Sequence, residues 1–192
     1  MNTPAHIIFG VAAFGRANQP GVTTAAALGS LAPDASLYFM FFWNRWVRGM
    51  SAQQIFDVEY FTPYWQQVFA VDNSIPIWAL VLLMGVLVRR PAVAVFAMAG
   101  LLHLGLDFAL HHDDARAHFF PLSDWVFESP LSYWDGRAYG NIFGPLEAGL
   151  CALFLVVLLR RHAGWLARTM LVLVGLAELA PTVVFGILFS QG

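Results

Sequence analysis

The chain has 192 residues, 59% of them hydrophobic and 11% charged, with a formal net charge of −2. Soluble domains carry roughly 25% charged residues; with a mean hydropathy of +0.64, this composition excludes a soluble globular domain and predicts one membrane-embedded helical domain over residues 1–192. The charge balance argues against nucleic acid as a partner, and a single cysteine, Cys151, rules out a disulfide framework and a cysteine-based zinc site.

The first segment, residues 3–17, opens on Thr3-Pro4, a helix start with Thr as N-cap and Pro at the first helical position. His6 follows in the first turn. The start lacks the basic region of a signal peptide and reads as part of the fold. This helix is short for a bilayer, which needs about 20 residues, so it is tilted or only partly crosses. Asn18-Gln19-Pro20-Gly21 is a turn. Residues 22–43 form a full-length span interrupted at Pro33-Asp34, where the proline removes a backbone hydrogen bond. Asp34 at that break is either a hydrated kink residue or a ligand aimed into a cavity; the coincidence of break and charge favours the ligand.

Residues 44–74 interleave Trp, Tyr and Phe with Arg, Gln, Asp and Glu, and Ser51 with Gln54 forms a capping-box pattern. Short interfacial helices lying on the membrane fit this stretch. Residues 75–88 are apolar and end at Arg89-Arg90-Pro91, and residues 92–110 form the next span, an antiparallel neighbour across a tight turn. Residues 111–140 are a polar loop, residues 141–159 an apolar span with Glu147, and residues 165–189 a last span with Glu178 three residues before Pro181. The prediction is an all-α integral membrane protein with about six transmembrane or partly embedded helices and two long outer loops carrying interfacial helices.

The segment from His103 to Asp124 holds four of the six histidines and four of the eight aspartates. His103, Asp107 and His111 fall at i, i+4 and i+8, one stripe of a helix. On a continuous helix His103 and His111 lie roughly 12 Å apart along the axis, too far to share one ion directly, with Asp107 midway to bridge.

Arginines orient the chain. Arg16, Arg89, Arg90, Arg160, Arg161 and Arg168 lie in short turns without acids, whereas the long loops carry eight acids. The positive-inside rule then puts the short turns in the cytoplasm and both termini outside. In that orientation His6, Asp34, His103, Asp107, Glu147 and Glu178 all lie toward the outer side, with His111, His112 and His118 in the outer loop. Only His162 falls inside. A charged residue at the bilayer centre costs roughly 2.5–3.5 kcal/mol on insertion scales, and no arginine falls within a span to pair with the four embedded acids. Protonation, water or bound cations must offset that cost. Carboxylates with imidazoles and no thiolates suit zinc, manganese or another divalent ion of similar hardness.

Three ordered motifs carry a family resemblance. Thr3-Pro4-Ala5-His6, then Leu31-Ala32-Pro33-Asp34, then His103-Leu104-Gly105-Leu106-Asp107 followed by Phe119-Phe120-Pro121-Leu122-Ser123 resemble the YdjM-like family of inner-membrane metal-dependent hydrolases. Ser36 stands where that family commonly has a second Asp, and Asp72-Asn73-Ser74 stands near a family motif that contains a His. The resemblance therefore implies one metal fewer, or a ligand from His111, His112 or His118. The family is distantly similar to zinc-dependent phospholipases C and single-strand nucleases, which implies phosphoester hydrolysis by analogy.

The leading expectation is a metal-dependent hydrolase at the outer face of a bacterial inner membrane, acting on a small-molecule or lipid substrate among membrane lipids. Its metal ligands come from His6, Asp34, His103, Asp107, His111, His112 and His118, with zinc or manganese as cofactor. Asp113, Asp114, Asp124 or Glu147 serves as general base. Trp125, Phe127, Tyr133 and Trp134 read as an interfacial belt before a substrate lip. The alternatives are a small ion or metal transporter, a non-enzymatic metal-binding protein, and a structural protein whose embedded polar residues pair with one another.

Overall fold

A computed structural model describes residues 1–189, with side chains through residue 180. All regular structure within them is helical: α1 (Thr3–Phe14), α2 (Pro20–Leu31), α3 (Ala35–Phe42), α4 (Ala52–Gln54), α5 (Pro63–Asp72), α6 (Ile75–Leu87), α7 (Pro91–Leu110), α8 (Gly140–Arg161) and α9 (Trp165–Phe189). Four helical stretches are long and apolar enough to cross a membrane: Pro20–Val47, Pro63–Leu87, Pro91–Leu110 and Gly140–Arg161. With the shorter α1 and with α9, they form the all-α membrane protein that the composition predicts.

Local sequence sets the starts and breaks. Proline occupies one of the first two positions of α1, α2, α5, α6 and α7, where its missing N–H is not needed. At α1 the N-cap is Asn2 rather than Thr3. The Thr3 hydroxyl donates instead to Asp34 Oδ2 at 2.5 Å, tying the start of α1 to the α2–α3 break. Pro33 bends the Pro20–Val47 span without ending it. A 3₁₀ turn, Ala32–Asp34, absorbs the lost hydrogen bond between α2 and α3, and a π-turn, Trp43–Val47, closes the span.

The stretch expected to be wholly interfacial divides in two. Residues 52–59 form a single capped turn and a π-turn, with the Ser51–Gln54 capping box present. From Pro63 onward the chain joins the span that continues through α6. The junction tolerates a break because side chains replace the backbone bonds. Asn73 Nδ2 donates to the carbonyls of Phe69 and Pro33, and Ser74 Oγ accepts from Ile77 N–H.

The short α1 sits inside the bundle, packed on α2, α7, α8 and α9, while α7 packs on α2 and α6. Ala5, Ile8 and Val11 of α1 are buried against Val22, Ala26, Val95, Cys151 and Leu158. A 12-residue helix spans only about 18 Å, so these neighbours, rather than lipid, complete its surroundings. Residues 111–139 fold back over this end of the bundle. Ile75 N–H donates to His118 O, Ser129 N–H to His111 O, and Ser74 Oγ to Phe120 O.

Candidate metal centre

Three elements and one loop converge beside the amino end of α1. That helix brings His6, the α2–α3 break brings Asp34, α7 brings His103 and Asp107, and the loop brings His111. All five are buried. One ligand atom each from His6, His103 and Asp107 lies within 4.8 Å of the others, a grouping that can hold a metal ion.

The chemistry of His103 follows from its two nitrogens. Nδ1 lies 2.7 Å from the carbonyl oxygen of Ser30. A carbonyl only accepts, so Nδ1 carries the proton. Nε2 then points at Asp107 Oδ2, 3.0 Å away, and Asp34 Oδ1, 3.7 Å away, yet makes no proper hydrogen bond. A lone pair facing two carboxylates is repulsive, so a proton or a cation must lie there. The outward nitrogen fixed by a backbone carbonyl is the usual posture of a metal-ligating histidine.

His6 argues for the cation. Its ring stacks on His103 with centroids 3.5 Å apart and planes 10° from parallel, and its Nε2 lies 2.9 Å from Asp107 Oδ1. Two imidazolium rings face to face in a buried site would repel strongly, so at most one of the pair carries a second proton; as neutral imidazoles the two can share one ion. The Met1 nitrogen lies 2.9 Å from Asp107 Oδ1 and 3.2 Å from His111 Nε2.

His111 ends the helical stripe. The chain leaves the helix at this residue, with φ −108° and ψ 126°, and turns back. Its Nε2 comes 3.1 Å from Asp107 Oδ1, and its Nδ1 lies 2.9 Å from Asp114 Oδ2. His103 and His111 thus reach opposite oxygens of one carboxylate, with Asp107 bridging them as its midway position predicts. Burial opposes the charge on His111, but Asp107 and Asp114 on either side hold its pKa above the ordinary histidine value.

The other expected residues are placed as follows. His118 is buried, with Nδ1 donating to Asn73 O at 3.0 Å. It therefore stands beside Asp72-Asn73-Ser74. His112 is half-buried and turned to Ser129 O at 2.7 Å. Asp113 is exposed at the rim, 3.7 Å from Arg137, and Asp124 is exposed on the loop; neither joins the cluster. Glu147 is buried; its Oε1 accepts from Asn2 N–H at 2.9 Å while Oε2 has no partner. Asn2 also donates through Nδ2 to Glu178 Oε1 at 3.2 Å, so it links both glutamates to the start of α1.

One arginine outside the spans is nevertheless buried. Arg116, assigned by position to the outer loop, is only 6% exposed. Its guanidinium lies 4.7 Å from the Phe69 ring centre and 5.6 Å from that of Tyr60. Nothing in a polar loop sequence marks it as buried. The chain thus carries a buried His–His–Asp cluster able to hold a metal within an all-α membrane protein, and no family model, curated protein or solved structure matches it.

Proposed function

We propose that this protein is a membrane-embedded metal-dependent hydrolase acting on a phosphoester or lipid-like substrate at the outer face of a bacterial inner membrane. The observation that carries the reading is His103, held by the Ser30 carbonyl at 2.7 Å with Nε2 directed between Asp107 and Asp34. His6, His103 and Asp107 form the core of the metal site, with Asp34 and His111 completing it and zinc or manganese as the ion. Such an ion lowers the pKa of water toward neutrality and polarises a phosphoryl or acyl oxygen. Asp114 Oδ2 lies 2.9 Å from His111 Nδ1, the place a carboxylate takes behind a ligating imidazole. Of the carboxylates expected as proton acceptors, Glu147 is favoured, because it is buried and tied through Asn2 to the start of α1, the helix that carries His6. The ordered motifs shared with the YdjM-like family support the same class of chemistry, and the arginine bias of the short turns supports an outward-facing site.

The test is elemental analysis of the purified protein in detergent beside a His103→Ala, Asp107→Ala double variant. About one equivalent or more of zinc or manganese in the wild type, absent from a variant that keeps its helical content, is expected. A metal-free wild type after reconstitution would overturn the hydrolase reading and leave the cluster as a set of proton-sharing pairs.

A further inference from the structure

We propose that Arg116 is an anion-binding residue whose guanidinium receives an oxygen of a phosphoryl group presented to the metal cluster. The inference rests on the metal reading above and names the substrate chemistry of the same site.

Arg116 is buried, and its Nη1 has no hydrogen-bond partner. It enters no ion pair among the described residues. Phe69 and Tyr60 lie against its guanidinium and hold it by cation–π attraction. That attraction does nothing for the N–H edge, which carries five donors and is the part that recognises anions. The backbone is pinned as well: His118 N–H donates to Arg116 O at 3.0 Å, and His118 is itself tied to Asn73. The head group is therefore positioned while its fork is left unengaged. A buried charge without a partner is costly, so a structural role alone does not account for it.

Tyr60, whose ring lies against the guanidinium, donates its hydroxyl to Asp114 O at 3.4 Å, and Asp114 Oδ2 lies 2.9 Å from His111 Nδ1, so Arg116 connects to the cluster through those residues. Burial opposes the charge, but Tyr60, Asp34, Asp107 and Asp114 together favour it. Two of those acids are proposed metal ligands. With Asp34 and Asp107 committed to a divalent ion, the Arg116 charge would have no anionic group to offset it. A dianionic phosphoryl group satisfies both: one oxygen toward the ion, another on the guanidinium fork, the geometry that arginine forms best.

The experiment titrates inorganic phosphate into the zinc-loaded full chain in detergent, followed by phosphorus NMR line broadening, for wild type, Arg116→Gln and Arg116→Lys. Zinc content is measured on the same samples. Saturable binding in the wild type is expected, with affinity lower by roughly tenfold or more in Arg116→Gln, the loss of one charge-assisted bond, and zinc content unchanged. Arg116→Lys keeps the charge and loses the fork; it should fall between the two, and it carries the test if Arg116→Gln does not fold. Equal phosphate affinity in wild type and variants, or no phosphate binding by the zinc-loaded wild type, would overturn the proposal. A merely structural guanidinium would lower the melting temperature and leave phosphate affinity alone. A wild type that holds no zinc counts against the metal reading; phosphate binding that still depends on Arg116 would then uphold the anion site by itself.

Discussion

At the scale of single residues, what the sequence makes legible is polarity out of place. His6, Asp34, His103, Asp107 and Glu147 each interrupt an apolar segment, and an imidazole or carboxylate there demands a partner. Arg116 gives no such signal. It lies in a loop of mixed polarity, and its burial depends on that loop folding back over the α5–α6 junction, a long-range contact with no local pattern. The same fold-back buries His118, and this has a consequence in pH. Burial lowers the His118 pKa, with the bond to Asn73 O partly opposing it. The fold thus holds the neutral ring, while the unfolded chain takes up a proton as pH falls through about 6.5. Stability contributed by this residue is present at neutral pH and declines as the medium is acidified. The melting temperature of wild type should therefore drop more steeply between about pH 7.5 and pH 5 than that of His118→Gln, where nothing ionises. Parallel slopes for the two proteins would show that His118 is not held neutral by the fold.

Among elements, the decisive contact is α2 against α7. Helix periodicity and the antiparallel pairing of residues 75–88 with 92–110 are legible, because a tight Arg-Arg-Pro turn leaves little choice. The approach of α2 to α7 is not, since it joins segments far apart in sequence through a residue without a side chain. A Cβ placed on Gly29 would meet the Phe96 carbonyl oxygen at 2.0 Å. Backbone, unlike a flexible side chain, cannot swing aside. Close approach through small residues is how membrane helices gain packing, and here it also delivers the adjacent Ser30 carbonyl to His103 Nδ1. Gly29→Ala should separate the two helices, cost about 1–3 kcal/mol as overpacking does, and reduce metal content along with the melting temperature. Gly105, also on α7, faces open space, and a Cβ added there meets no other atom. Gly105→Ala should therefore change stability by no more than about 0.5 kcal/mol. Equal effects from the two would mean that α2–α7 contact does not set the site.

For the whole molecule, depth in the membrane links sequence to site before any contact is known. Polar residues from five separate segments are expected toward one side, and the structure joins them: Asp34, His6, His103 and Asp107 directly, and Glu147 and Glu178 through Asn2. Depth alone does not say which residues touch, and it leaves Asp113 and Asp124 as candidates although both are exposed. The proposed orientation makes a separate prediction. The α7 helix carries Asp107 near one end and starts just after Arg90 at the other; its 20 residues rise about 30 Å, the thickness of the hydrocarbon core. Arg90 and Asp113 therefore emerge on opposite sides. Cys151 is buried and the chain's single cysteine, so a Cys151→Ser background allows one new thiol at a time. In intact cells a membrane-impermeant maleimide should label Asp113→Cys and Asp124→Cys, while Arg90→Cys should label only after permeabilisation. The reverse pattern would place the cluster on the cytoplasmic side, so that a substrate would have to come from the inner leaflet or the cytoplasm, and the arginine bias would lose its role as the orienting signal.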